Sequence, residues 1–149
     1  MSAASEPSPP EPSPERPLSG RCLCGGVTFR VTRAFHRANW CHCSRCRKHS
    51  GAPAGVQGRV ARDGFELLTG ADLLTVYRPE GGAAKAFCRV CGSSLFGAAW
   101  PEGDEVAIRL GALDGDPGVR PQYRSFWDDR VGWDPVPEDG LPRHPGRVP

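Results

Sequence analysis

Seven cysteines, at positions 22, 24, 41, 43, 46, 88 and 91, constrain this chain more than any other feature. An odd number cannot close into a complete disulfide framework. The opening stretch, MSAASEPSPPEPSPERP, has neither the basic start nor the apolar run of a secretory signal. A reducing, cytoplasmic setting is therefore expected, where clustered cysteines bind metal more often than they pair. No apolar run approaches the roughly 20 residues that cross a bilayer, so no membrane partner is expected.

The thiols fall into three groups: Cys22-x-Cys24, Cys41-His42-Cys43-x-x-Cys46 and Cys88-x-x-Cys91. Zinc prefers tetrahedral soft ligands with Zn–S near about 2.3 Å, and cysteines one or two residues apart can grip one ion from a tight turn. Gly25 and Gly92 follow the first and last pairs, which lets backbone N–H groups turn toward the thiolates. These two pairs read as matched knuckles that close one four-thiolate structural site. Cys41, Cys43 and Cys46 then form a second site with an open fourth position, which is the mark of a catalytic ion. Two zinc ions per chain are expected. A redox dithiol at Cys88 and Cys91 would prefer a strand-to-helix context, whereas Gly92-Ser93-Ser94 follows here. His42 or His49 could complete the open site or shuttle protons, but polar packing is the plainer role for both.

A length of 149 residues is room for one domain, and 19 glycines with 16 prolines argue for a loop-rich or β-rich domain over a helical bundle. Residues 1–18 read as a disordered, proline-rich tail. Residues 19–134 read as the zinc-binding domain, and 135–149 as a Pro/Gly-rich extension running over the surface. Val27, Phe29 and Val31 alternate with polar residues, as in a half-buried strand. Further strands are expected at Asn39–Cys43, Gly55–Val60, Leu73–Arg78, Ala84–Cys88, Ser94–Phe96 and Val106–Leu110. Ser44–Ser50, closed by Gly51, should make one or two helical turns. Trp100, Phe126, Trp127 and Trp133 are expected to cover apolar surface.

The net charge of +2 conceals an asymmetry. Arg16 to Arg62 contains ten basic residues and no acid, whereas residues 63–149 carry nine basic and 14 acidic ones. The basic half should face the acidic half or an anionic ligand. Arg45, Arg47 and Lys48 lie beside the cysteine triplet. They either damp thiolate charge or hold a carboxylate-bearing substrate, for which arginine offers a bidentate fork. A nucleic-acid platform would interleave aromatics with basic residues, and Tyr123–Trp127 fits that only loosely. Nucleic acid is not the expected partner.

The segments GRCLCGGVTFRV, CHCSRCRKHSGAP and FCRVCGSSLF, with PQYRSFWDDRVGW and EDGLP downstream, resemble the glutathione-dependent formaldehyde-activating family, whose domain also occurs in centromere protein V. The resemblance implies a mostly β fold with little helix: small packed antiparallel sheets in a zinc-stapled, tent-like arrangement. It implies structural zinc on Cys22, Cys24, Cys88 and Cys91, and a second zinc on Cys41, Cys43 and Cys46. The implied activity is a carbon–sulfur lyase resembling S-(hydroxymethyl)glutathione synthase, which joins a small thiol such as glutathione to formaldehyde or another small aldehyde. The alternative is a zinc-stabilised binding module whose basic half contacts an anionic partner. The sequence departs from the family pattern at Ala54-Gly55-Val56-Gln57-Gly58, which should open or reshape the pocket, and at Gly132, where a proline commonly stands.

Overall fold

Two sheets meet across a phenylalanine-rich core in the computed structural model, which describes residues 9–149. The first has three strands in the order β1-β2-β5: β1 (Leu18–Arg21), β2 (Thr28–Val31) and β5 (Phe65–Thr69). The second has seven, in the order β10-β3-β4-β9-β8-β7-β6. These are β3 (Arg37–Cys41), β4 (Gly55–Ala61), β6 (Leu74–Tyr77), β7 (Lys85–Cys88), β8 (Ser94–Gly97), β9 (Glu105–Arg109) and β10 (Arg124–Ser125). All pairings are antiparallel except β10 on β3, which is parallel. The only α-helix among the described residues is α1 (Ser44–Ser50).

The alternation in β2 decides which face is buried. Val27, Phe29 and Val31 are fully enclosed while Arg30 is exposed. Phe29 meets Phe96 edge-on at 5.1 Å, Phe65 meets both Phe96 and Trp100 edge-on, and Phe96 stacks on Trp100 at 4.4 Å. Gly20, opposite Phe29 in the β1–β2 ladder, makes this packing possible, because a Cβ there would lie 2.2 Å from the Phe29 ring.

Helix α1 spans the expected seven residues because both ends are specified locally. Cys43 caps the N-terminus by accepting from the Cys46 N–H, and Gly51 ends the helix in the left-handed conformation at φ 69°. Arg47, Lys48 and His49 occupy its last turn, where cations complement the helix dipole. Strand β3 begins and ends two residues earlier than the expected Asn39–Cys43, because Cys43 is taken by the cap. Strands β1, β5 and β10 were not expected. Their residues lack a clean period, and pairing with β2 or β3 defines them.

Of the segment read as a tail, residues 1–8 lie outside the described residues. Ser13 and Arg16 exchange backbone hydrogen bonds, and Pro12 is buried. The C-terminal stretch folds back on β10: Arg124 N–H donates to the Pro142 carbonyl, His144 N–H to Arg124, and Phe126 N–H to Gly146. Trp133 is 69% exposed, so it does not cover core as expected. Trp127 instead lies between the guanidinium groups of Arg130 and Arg143, at 4.5 and 4.3 Å.

Phe96 joins the two sheets, so Phe96→Ala should cost about 3–5 kcal/mol through lost burial and an unfilled cavity. Urea unfolding of the two proteins measures this, and a difference under about 1 kcal/mol would contradict the assignment of this ring as the centre of the core.

Candidate metal centres and a cationic cleft

The turn after β1 and the end of β7 bring four sulfurs together. The Sγ atoms of Cys22, Cys24, Cys88 and Cys91 all lie within 4.8 Å of one another. Cys22 to Cys24 is 3.5 Å and Cys24 to Cys88 is 3.8 Å. Four sulfurs placed tetrahedrally about 2.3 Å from one ion would be about 3.8 Å apart, so the donor set fits zinc. The knuckles match in detail: Gly25 and Gly92 adopt φ of 79° and 78°. Val27 N–H donates to Cys22 Sγ at 3.3 Å, and the Ser93 hydroxyl lies 3.2 Å from Cys91 Sγ. Leu23 N–H donates to Ser93 Oγ at 2.9 Å, which ties one knuckle to the other. The Ser93 hydroxyl, with backbone donors, lowers the Cys91 thiol to about 5. None of the seven thiols is in a disulfide.

The second cluster arises where β3 runs into α1. Cys41 is the last residue of β3, Cys43 the N-cap and Cys46 a first-turn residue, and their sulfurs also lie within 4.8 Å of one another. Gly55 faces Cys41 across the β3–β4 ladder, and a Cβ there would sit 3.3 Å from Cys46 Cβ. Gly55 thus gives up its side chain to the triplet. Phe35 fills the space over Gly58, so the small residues of this strand do not all open the pocket. Lys85 Nζ, on buried β7, donates to Cys46 Sγ at 3.3 Å. Hydrogen bonds from Cys41 and Cys43 hold the Cys46 thiol far below its usual range, with Lys85 and Arg109 adding to this against burial. Hydrogen bonds with Cys43 and Cys46, together with burial, push the Cys41 thiol up. Lys85 thus sets a cation directly against the triplet.

All three cysteines line a cleft of about 840 Å³. One face of the β3–β4 ladder forms its floor in three rows: Cys41 opposite Gly55, Asn39 opposite Gln57, and Arg37 opposite Arg59. Seven cations (Arg37, Arg45, Arg59, Arg78, Lys85, Arg109 and Arg147) line the cleft against two acidic side chains, Asp104 and Glu105, and the last residue, Pro149, whose oxygen accepts from Arg37. Arg109 donates to Gln57 Oε1 at 2.5 Å and to Ser94 Oγ at 3.3 Å. Arg45 reaches over Gly82 to donate to the Glu80 carbonyl at 2.8 Å. Of the three cations expected beside the substrate, only Arg45 lines the cleft; Arg47 and Lys48 do not. Other basic residues of the N-terminal half meet acids of the second half, as in Arg30–Glu66, Arg33–Asp63 and Arg59–Glu105.

Neither candidate histidine joins a sulfur cluster. His42 is buried between Arg124, 3.2 Å from its Nε2, and the edge of Trp127. His49 Nδ1 lies 2.9 Å from Ser94 Oγ. Burial lowers both imidazoles, with Arg124 acting on His42 and Arg109 on His49. Sequence reasoning missed Lys85, Arg109, Arg37 and the amide pair. A lone lysine within the apolar Ala84–Cys88 run was a legible signal for the first. The others depend on strand register.

The family model and the curated relatives point to one family. The family model described as "Glutathione-dependent formaldehyde-activating enzyme" matches residues 17–129. A Penicillium rubens protein named "Putative glutathione-dependent formaldehyde-activating enzyme" is 34% identical over 79 residues, covering 52% of this chain and 41% of its own. A Fusarium vanettenii protein of the same name is 28% identical over 130 residues, covering 81% and 69%. The chain thus spans about two-fifths of the length of the first of these relatives. A crystal structure of a Rhodobacter sphaeroides protein superposes with a TM-score of 0.54 at 27% identity, over 66% of this chain and 89% of that one. The family match runs from the start of the three-stranded sheet past β10 and takes in all seven cysteines, so this chain belongs to the glutathione-dependent formaldehyde-activating enzyme family.

Proposed function

We propose that this chain is a zinc-dependent carbon–sulfur lyase of the S-(hydroxymethyl)glutathione synthase type, joining glutathione or a similar thiol to formaldehyde or another small aldehyde. The observation that carries the reading is a three-cysteine cluster on the floor of a cleft with a large excess of cations. In this reading residues 19–134 form the catalytic domain, 135–149 is an extension of it, and the setting is cytoplasmic, where thiols stay reduced.

Zinc on Cys41, Cys43 and Cys46, when bound, would supply an open coordination position able to hold a thiolate or polarise a carbonyl oxygen. In the net reaction the thiol sulfur forms a bond to the aldehyde carbon. The carbonyl π pair moves to oxygen, which ends with the proton the thiol gave up. The chain's own residues act mainly by placement. Lys85 offsets the charge that an incoming thiolate would add beside Cys46. Arg45, at the rim near the triplet, holds an anionic group of the thiol. Holding both reactants in one cleft converts a bimolecular encounter into a local one. Arg47 and Lys48 serve the dipole of α1 and not the substrate. Cys22, Cys24, Cys88 and Cys91 carry the structural ion.

Thiols add to formaldehyde without a catalyst, so the direct test is the rate beyond the spontaneous reaction. Zinc-loaded protein should accelerate adduct formation between glutathione and formaldehyde, followed by NMR. No acceleration at any zinc loading would overturn the enzymatic reading.

The two clusters should also differ in what they stabilise. Cys88→Ser removes a ligand from a site spanning 63 intervening residues from Cys24. Metal binding of this kind is folding free energy, on the order of 10 kcal/mol in small zinc peptides, so the variant should not fold. Cys43→Ser alters a site confined to six residues and should lose one zinc per chain with little change in melting temperature. Metal analysis with calorimetric melting separates these outcomes, and equal destabilisation by both would refute the division of roles.

Arg45→Gln should weaken glutathione binding by about 1–3 kcal/mol through loss of a charge-assisted hydrogen bond, while Arg47→Gln should not. Calorimetric titration at fixed salt makes the comparison. Equal affinities for Arg45→Gln and the parent would remove Arg45 from the site.

A further inference from the structure

The proposed reaction gives no role to the EDGLP stretch at 138–142, yet its aspartate is tied to the neighbourhood of the cysteine triplet. Asp139 Oδ2 accepts from Arg124 Nη2 at 2.7 Å, and Asp139 Oδ1 accepts from the Leu141 N–H at 3.1 Å. Arg124 is buried, and Asp139 is the only acid paired with it among the described residues. Its Nη1 lies 3.2 Å from His42 Nε2, and its guanidinium sits over the Trp40 ring, 5.4 Å from the centroid. A guanidinium can only donate, so His42 Nε2 is the acceptor. Arg124 Nε is buried and makes no hydrogen bond, which leaves the two Nη contacts to fix the group. The backbone runs parallel to this relay. His42 N–H donates to the Ser125 carbonyl and Trp40 N–H to that of Tyr123, while Arg124 exchanges bonds with Pro142 and His144. Strand β10 is thus held between β3 and the C-terminal stretch.

We propose that Asp139 is a positioning residue for the metal site of Cys41, Cys43 and Cys46, acting through Arg124 and His42. The inference rests on the metal-binding reading of that triplet. Cys43 and Cys46 are set relative to each other by α1, where the Cys46 N–H donates to Cys43 Sγ at 3.3 Å. Cys41 belongs to β3 instead, and His42 is the only residue between the strand and the helix cap. The setting of His42 therefore decides how the strand sulfur meets the two helix sulfurs. His42 is buried, so the packing of its ring fixes the backbone that carries a ligand on either side. Arg124 holds that ring only while its own charge is offset. A buried guanidinium stripped of its carboxylate is strongly disfavoured, so loss of the Asp139 charge draws Arg124 away from His42. The extension at 135–149 is thereby part of the frame of the metal site.

The test is metal binding by the full chain, with zinc competed by a chromophoric chelator and, separately, replaced by cobalt. The ion missing from Cys43→Ser identifies that of the triplet. Asp139→Asn keeps an oxygen for the Leu141 N–H but turns an amide toward Arg124. In this variant the triplet ion should bind at least about 10-fold more weakly, the loss typical when a group just outside the ligands is removed. The cobalt absorption of the triplet should shift with it, and the four-cysteine ion should keep its affinity. Asp139→Glu returns the carboxylate and should recover most of the loss. Glu138→Gln, at the neighbouring acid whose side chain is 91% exposed, should change nothing. Arg124→Lys keeps the buried charge but has no fork to span both partners, and should show the same selective loss as Asp139→Asn; the pair guards against one variant failing to fold. The role is overturned if triplet affinity and spectrum match the parent in both variants, or if both ions weaken equally, which marks a general loss of structure. A parent that binds only one ion per chain would instead overturn the metal reading of the triplet, and this role with it.

Discussion

Everything in this fold depends on two sets of sulfur atoms being held closer than thiolates tolerate by themselves. Four of them come from chain segments 64 residues apart, and three from a strand end and the helix it enters. Like charges at such distances repel strongly in a partly buried setting. The protein offsets this with backbone N–H donors, a serine hydroxyl and a buried lysine. A divalent ion in each cluster would complete the compensation, and the spacing of the first set suits such an ion.

The two clusters stand in different relations to the core. The four-sulfur cluster ties the β1–β2 turn to the turn after β7, so it fastens one sheet to the other. The core between the sheets packs a few rings with Val, Leu and Ile side chains, and two of the four cysteines, Cys22 and Cys88, are themselves part of it. The triplet closes no long loop. It lies at the end of the larger sheet, where β3 turns into α1 and where Gly55 gives the sulfurs room. One cluster holds elements together, and the other presents its sulfurs to a cleft.

Charge follows the same division. Arginines on the outer faces find carboxylates from the second half of the chain, and exposed pairs of this kind contribute little to stability. Inside the cleft the count is unbalanced, with cations exceeding acids. A concave site with such an excess concentrates anions and speeds their arrival, and salt weakens the effect. The unbalanced charge therefore lies where a ligand can reach it.

The amino-acid sequence alone determined the cysteine grouping, the limits of α1 and the buried face of β2. Each is a local matter: chelating pairs span one to two residues, Cys43 and Gly51 cap a seven-residue helix, and alternation in a strand needs no partner. The tertiary structure decided what the local pattern could not carry. It put Arg45 in the cleft and left Arg47 and Lys48 outside, because a short helix sends neighbouring side chains in different directions. It brought Arg109, Lys85 and the Arg37–Arg59 pair to the triplet's cleft, and it hydrogen-bonded the C-terminal stretch to β10 along its expected surface path. Those placements follow from strand register and from the order β10-β3-β4-β9-β8-β7 in the sheet. Register is set by long-range pairing, in which every residue depends on a partner far away in the chain.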